Sequence, residues 1–254
     1  MNNNNNLDDV IDDIIDNELN SSNVNKYISK VHPDLDLKYN SLNIAVGKPG
    51  TSKTTTFMKT MMKLANYPNT YHMIIYVSDL DSDDTMIKLM KYITIPIFQV
   101  SYSDFIEKFE ALIKQKQLYW KAKREKNNVE IKQLANVLFL KKPIQNVQTM
   151  IFCDDAGWVF DKKSPINKYL CKLRHLQCTF WLNVQIWKSI DPSVKSLITS
   201  AYICKGFSRQ QLQNIYRQLS VDGDFNTFAR KYSTLQCYDK LFIDNQDSIL
   251  KIVS

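Results

Sequence analysis

Glycine is scarce in this chain, with five among 254 residues. Few places therefore allow the backbone to turn in ways that other residues resist, and each glycine marks a place where such a turn matters. Histidine is scarcer still: His32, His72 and His175 share no metal-ligand spacing. The five cysteines, Cys153, Cys171, Cys178, Cys204 and Cys237, are scattered and odd in number. They lack the close pairs of a zinc site and read as reduced, small apolar side chains. Also missing is any apolar run of about 18 residues, the length a membrane-spanning helix needs. The N-terminus is Asn-rich and then acidic, not basic and apolar, so no secretory signal is read there, and a cytoplasm-like compartment is expected.

What is present is a basic body behind an acidic opening. Residues 1–36 hold eight acidic and two basic side chains, a net of −6, against +7 for the whole chain. The remainder is thus at +13. A basic body is the footprint of a polyanion partner, although a lysine-rich solubilising surface has the same composition. The run Asn2–Asn6 is low-complexity. Leu7, Val10, Ile11, Ile14, Ile15 and Leu19 then recur at helical spacing with Asp between them, which predicts an acidic amphipathic helix. We divide the chain into this opening segment, 1–36, and one domain, 37–254.

Within the domain, short apolar runs alternate with helical patterns. Leu42–Val46, Met73–Val77, Ile95–Val100, Met150–Cys153, Thr179–Val184 and Ala201–Cys204 read as buried strands. That rhythm predicts an α/β fold with a mostly parallel sheet covered on both faces. Ser103–Lys126 and Val129–Leu140, parted by Asn127-Asn128, predict a helical hairpin inserted over 103–140. Its segment Lys114–Lys126 has six basic residues and one acid, with Tyr119 and Trp120 among them, and reads as a solvated basic face or a nucleic-acid contact. Helical patterns follow at Ser208–Leu219 and Phe225–Tyr232, then two strand-like runs, Leu235–Ile243 and Ile249–Val253, able to pair as an edge hairpin.

The strongest local signal is Gly47-Lys48-Pro49-Gly50-Thr51-Ser52-Lys53-Thr54, placed between the first strand and a helical pattern that opens at Thr55. In a P-loop, the backbone N–H groups of such a turn wrap phosphates and the next helix aims its positive N-terminus at them. Residues 47–55 are accordingly the candidate ATP-binding residues: Gly47, Lys48, Pro49, Gly50, Thr51, Ser52, Lys53, Thr54 and Thr55. Lys53 is expected on the β- and γ-phosphates and the Thr54 hydroxyl on Mg²⁺. Ser52 stands where glycine is usual before the lysine. If that position needs positive φ, serine there costs about 1 kcal/mol.

About 100 residues on, the apolar strand Met150–Cys153 ends in Asp154-Asp155. A carboxylate at a strand's C-terminal edge holds Mg²⁺, which assigns Asp154 to the metal and Asp155 to polarising the attacking water. Two adjacent acids before Ala156-Gly157 also suit a plain turn. The third element is the stretch Arg174–Gln185. A strand over Thr179–Val184 places the Gln185 amide at the same edge as Asp154, within reach of the γ-phosphate or the lytic water. Arg174, before the strand, lies at the opposite end and suits a finger donated to a neighbouring subunit.

P-loop, Asp-Asp strand, Arg-His before a strand and Gln at its end together resemble the FtsK–HerA superfamily. The likeness is to the genome-packaging ATPases of nucleocytoplasmic large DNA viruses and virophages, and the Asn-rich composition is most similar to the virophage members. It spans Leu42 to Leu219. It implies a RecA-like P-loop NTPase core, ATP and Mg²⁺ as ligands, a homo-oligomeric ring, and sequence-independent translocation of double-stranded DNA into a preformed capsid. A capsid vertex or membrane protein is the implied docking partner, and the host cytoplasm, at the viral factory, the implied location. It assigns Lys53 and Thr54 to the phosphates, Asp154 to magnesium, Asp155 to water activation, Gln185 to a sensor role and Arg174 to the trans-acting finger. Asp155 departs from the glutamate common in the wider superfamily. Lys205, Arg209 and Arg217, after the last core strand, are candidate DNA contacts. A RecA-like helicase or replication ATPase, and a non-catalytic nucleotide- and DNA-binding capsid-associated protein, are the competing readings.

Overall fold

The computed structural model describes residues 31, 35–64, 67, 70–79, 91–141, 143–144, 146–155, 160–161, 164–219 and 221–254. The expected helix at Leu7–Leu19 lies outside them, as does Ala156-Gly157. Among the described residues, eight strands form one sheet: β1 Leu42–Val46, β2 Met73–Val77, β3 Ile97–Val100, β4 Thr149–Cys153, β5 Cys178–Val184, β6 Ser200–Cys204, β7 Lys240–Asp244 and β8 Ile249–Val253, in the order β3-β2-β4-β5-β1-β6-β7-β8. The first six are mutually parallel, and β7 and β8 join antiparallel. This is the expected α/β architecture of a P-loop NTPase.

The central strands β1, β2, β4, β5 and β6 are buried along their whole length, because helices cover both sheet faces. On one face α1 (Lys53–Leu64) packs Phe57 flat against Phe152, with ring centroids 3.6 Å apart, and edge-on to Trp181. On the other, Phe105 and Phe109 of α2 (Tyr102–Arg124) join Ile44, Ile151 and Phe180. The alternation of Phe180 and Trp181, or Ile151 and Phe152, between the two cores follows the strand period of two.

The expected insertion is a helical hairpin of α2 and α3 (Asn128–Val137). Lys126 at φ 55° breaks the first helix, and the Asn127 side chain accepts from the Glu130 N–H to start the second. At 23 residues α2 is about 34 Å long, so its far half overshoots the sheet. There Tyr119, Ala122, Ile131, Leu134 and Leu138 build a separate small core with Val147.

Two strands begin more than one residue later than expected, while β4, β5 and β6 each begin one residue earlier and β7 ends one residue later. β3 begins at Ile97 because Pro96 has no N–H for the ladder, although its carbonyl still accepts from Ile74 N–H. β7 begins at Lys240 because Gln236–Asp239 turn on themselves, with Asp239 accepting from the Gln236 N–H and Tyr238 at φ 76°. Short helices that were not expected bracket β5: α4 (Asn167–Leu170) and α5 (Leu173–Leu176) before it and α6 (Pro192–Ser196) after it. The last helices are α7 (Arg209–Gln218) and α8 (Phe225–Ser233). No helix among the described residues is long and apolar enough to cross a membrane.

Candidate active site

The turn between β1 and α1 is built as its glycines require. A Cβ on Gly47 would lie 2.4 Å from the Thr51 hydroxyl and 2.5 Å from the Cys204 Cβ, so β6 passes too close for any side chain. Gly50 sits at φ 75° and Ser52 at φ 62°. The left-handed position anticipated at Ser52 is thus adopted by a serine. The Thr51 hydroxyl closes the turn on the Lys48 carbonyl at 2.7 Å, and the Ser52 carbonyl accepts from Thr56 N–H at 3.0 Å as the helix begins.

Lys53, 6% exposed, curls back over this loop. Its ammonium donates to the carbonyls of Gly47 at 3.0 Å and Lys48 at 3.2 Å and lies 3.8 Å from Asp155. The ammonium is therefore already at the place the loop encircles, held by weak neutral acceptors that phosphate oxygens would outbid. Lys48, Pro49 and Gly50 are exposed on the rim, and Thr55 is exposed on the first turn of α1.

Asp154 and Asp155 leave β4 at the same sheet edge. The Thr54 hydroxyl donates to Asp154 Oδ2 at 2.9 Å, and the Asn183 amide donates to Asp154 Oδ1 at 2.8 Å. Gln185 Nε2 donates to Asp155 Oδ2 at 2.8 Å. Topology explains why: β5 lies between β1 and β4, with Val184 level with Val46 and Leu182 level with Cys153. Its C-terminal residues therefore emerge between the loop and the carboxylates. Asn183 is not among the site residues expected from the sequence, unlike its neighbour Gln185. Its local signal is an amide near the end of a strand whose one other polar residue is Thr179. It is fully buried, and its carbonyl oxygen accepts from Trp181 Nε1 at 3.1 Å, which orients the amide so that its NH₂ faces Asp154.

Two more groups shape the local field. Burial, with Asp154 adjacent, pushes the Cys153 thiol well above its ordinary value, so it stays neutral beside the carboxylate. Burial first, then Cys153 and the carboxylates of Asp154 and Asp155, push the Tyr102 phenol up, keeping it a neutral donor at this edge.

Among the described residues no three His, Cys, Asp or Glu side chains cluster into a protein-only metal cage. The oxygens of Thr54 and Asp154 form instead a partial shell of hard donors, the kind Mg²⁺ uses together with substrate phosphates and water.

Arg174 is not brought to this site. It is exposed on α5, at the N-terminal edge of β5, and a seven-residue strand separates it from Gln185 by more than about 20 Å. Of the candidate DNA contacts, Lys205 and Arg217 are exposed, while Arg209 is tied to α8 through Asn226 at 2.8 Å and lies over the Phe225 ring.

Residues 34–241 match the family model described as "Poxvirus A32 protein". No curated protein matches the chain in sequence. The fold is similar to the genome packaging NTPase B204 of Sulfolobus turreted icosahedral virus 2 in complex with ATP-gammaS, at 16% identity over 85% of this chain and 97% of that one, with a TM-score of 0.57. It is also similar to B204, the DNA-packaging ATPase of Sulfolobus turreted icosahedral virus, at 16% identity over 85% and 97% and a TM-score of 0.55. The complex of the former with sulfate aligns at 17% identity over 84% and 96%, with a TM-score of 0.57.

Proposed function

The chain belongs to the poxvirus A32 protein family, and from that membership and the site's geometry we propose that it is an ATP-hydrolysing motor that drives double-stranded viral DNA into a preformed capsid. The observation that carries the catalytic part is the convergence of Thr54, Asp154 and Asn183, reached from three separate elements, beside a lysine-bearing loop. The similar B204 folds, one solved with ATP-gammaS and both described as packaging enzymes, support the same reading.

On this reading the loop N–H groups and the α1 N-terminus hold the phosphates, and Lys53 transfers its ammonium from the Gly47 and Lys48 carbonyls to the β- and γ-phosphate oxygens. Thr54 and Asp154 are the residues that would hold Mg²⁺, which when bound supplies positive charge against the phosphates. Asn183 keeps Asp154 aimed. Asp155, steadied by Gln185 and released from Lys53 once that lysine engages phosphate, accepts the proton of the water attacking the γ-phosphorus as the β–γ bridging oxygen leaves. Arg174 faces away from its own site and supplies positive charge to the nucleotide of the next subunit in a ring. The exposed lysines and arginines of the body hold the DNA backbone without reading its sequence. Capsid filling in the host cytoplasm is the setting this activity implies.

The test is phosphate release with and without intact duplex DNA. Duplex-stimulated release, lost in Lys53→Ala with the fold retained, is expected. Unchanged release by Lys53→Ala sinks the site, and nucleotide binding without any release by the unmodified protein leaves the non-catalytic reading in its place. In mixed assemblies, inactive Arg174→Ala subunits should regain activity with Lys53→Ala subunits, because each supplies the half-site the other lacks.

A further inference from the structure

Lys116 lies in the middle of α2, in the segment whose composition reads as a basic outer face, yet its side chain is fully buried. Among the described residues its ammonium meets no carboxylate. It donates to the carbonyls of Leu176 at 2.8 Å and Gln177 at 3.1 Å and lies 3.4 Å from Cys178 Sγ. Burial pulls its pKa below the ordinary lysine value. An ammonium in such a place is unfavourable unless the groups it bonds need it. A methionine would fill similar space without a charge to desolvate.

The bonded carbonyls gain a charged, strong donor from it. Leu176 is the last residue of α5 and Gln177 follows at φ 50°, so the helix ends abruptly; besides Lys116, the Leu176 carbonyl accepts the weak Cys178 thiol at 3.3 Å and the Gln177 carbonyl accepts from Thr149 N–H at 3.0 Å. Lys116 supplies the donor from α2. Arg174 is two residues before Leu176 on that same turn, and its carbonyl accepts from Gln177 N–H at 3.2 Å. The insertion grips this region at further points. Glu110 accepts from the Tyr169 hydroxyl at 2.8 Å and pairs with Lys168 at 3.3 Å, and Phe109 packs edge-on to Tyr169. The Gln177 side chain in turn accepts from Val147 N–H at 2.8 Å and donates to Asn146 at 3.0 Å.

We propose that Lys116 is a positioning residue for Arg174: by capping the end of α5 from the helical insertion, it sets the direction in which Arg174 reaches a neighbouring subunit's nucleotide. The insertion is thereby a brace for the trans-acting side chain. This rests on the trans reading of Arg174 given above.

The experiment is a subunit-mixing assay on the full chain. Lys116→Met alone should release phosphate at least tenfold more slowly, while its ATP dissociation constant stays within twofold, since its own loop is at the far edge of the sheet. Mixed with Lys53→Ala subunits, it should regain activity, because an intact loop then faces an intact Arg174 turn. A fault inside its own nucleotide site would not be restored. Arg174→Ala mixed with Lys53→Ala is the reference. If that reference is restored and the Lys116→Met mixture is not, or if Lys116→Met alone is fully active, the positioning role is overturned. If the reference itself is not restored, the trans reading fails and takes this role with it. Should Lys116→Met not fold, Lys116→Gln, whose amide keeps a donor, is read by the same criteria, with a rate between the two expected.

Discussion

Asn183 holds one oxygen of Asp154 at 2.8 Å while Thr54 holds the other at 2.9 Å, so the carboxylate proposed for Mg²⁺ is fixed from both sides by residues of two different elements. Partners of this kind set the angle at which a metal-binding carboxylate presents its lone pairs. Replacing Asn183 by Ala should lower phosphate release about 10- to 100-fold and raise the Mg²⁺ concentration needed for half-maximal rate. It also strands Trp181 Nε1 in the core, at about 1–3 kcal/mol of stability. A magnesium titration of the rate, with a urea melt alongside, checks both effects.

Ser52 occupies a left-handed backbone position, φ 62°, that costs a side-chain-bearing residue about 1–2 kcal/mol. Ser52→Gly should relieve that strain, offset in part by the greater freedom of glycine in the unfolded chain, for a net gain of about 0.5–1 kcal/mol. Ser52→Val, β-branched, should lose stability. Urea unfolding of the three proteins ranks them, and a Gly variant less stable than the unmodified chain would refute the strain.

Gly47 has the opposite problem, lack of space. A methyl group there would lie 2.5 Å from Cys204 Cβ, a backbone-anchored atom that cannot swing away. Gly47→Ala should therefore displace the loop from β6, destabilise the protein by about 1–3 kcal/mol, and weaken ATP binding. Equilibrium binding of a fluorescent ATP analogue is the measurement. Undiminished affinity would mean that the loop tolerates the shift.

Lys116 makes alkaline stability informative. Its folded-state pKa is lowered by burial, with Cys178 and His72 the titratable groups facing it. Below that lowered value, folding bears the full penalty of the buried charge. As pH rises from there toward the ordinary 10.5, the folded chain gives up the proton before the unfolded chain does, and stability rises. The unfolding free energy of the unmodified protein should therefore gain on that of Lys116→Met across the alkaline range. A difference that is flat or shrinking would show that the site holds no depressed lysine.

The nucleotide half of the site was legible in the residues because its chemistry is local. Gly47, Lys53 and Thr54 are consecutive, and a strand before them with a helix after them leaves the loop few shapes. Asp154 and Gln185 were legible because each ends an apolar strand, and parallel strands bring their C-terminal ends to one edge. Arg174 was placed at the far edge by the same reasoning, and it lies there.

Other features depended on distances between segments far apart in sequence. That Asn183 grips Asp154 follows from β5 lying between β1 and β4, and strand order is set by how two cores pack against the sheet, not by any single strand's composition. Lys116 misled for the same reason: a lysine in a lysine-rich helix reads as solvated until tertiary packing turns that one position toward the end of α5. Sequence by itself determined the α/β class, the phosphate loop and the carboxylate pair, since these depend on periodicity and on neighbours along the chain. Tertiary structure alone decided which polar groups became partners, because a buried amide or ammonium is defined by the carboxylate or carbonyl that folding places opposite it.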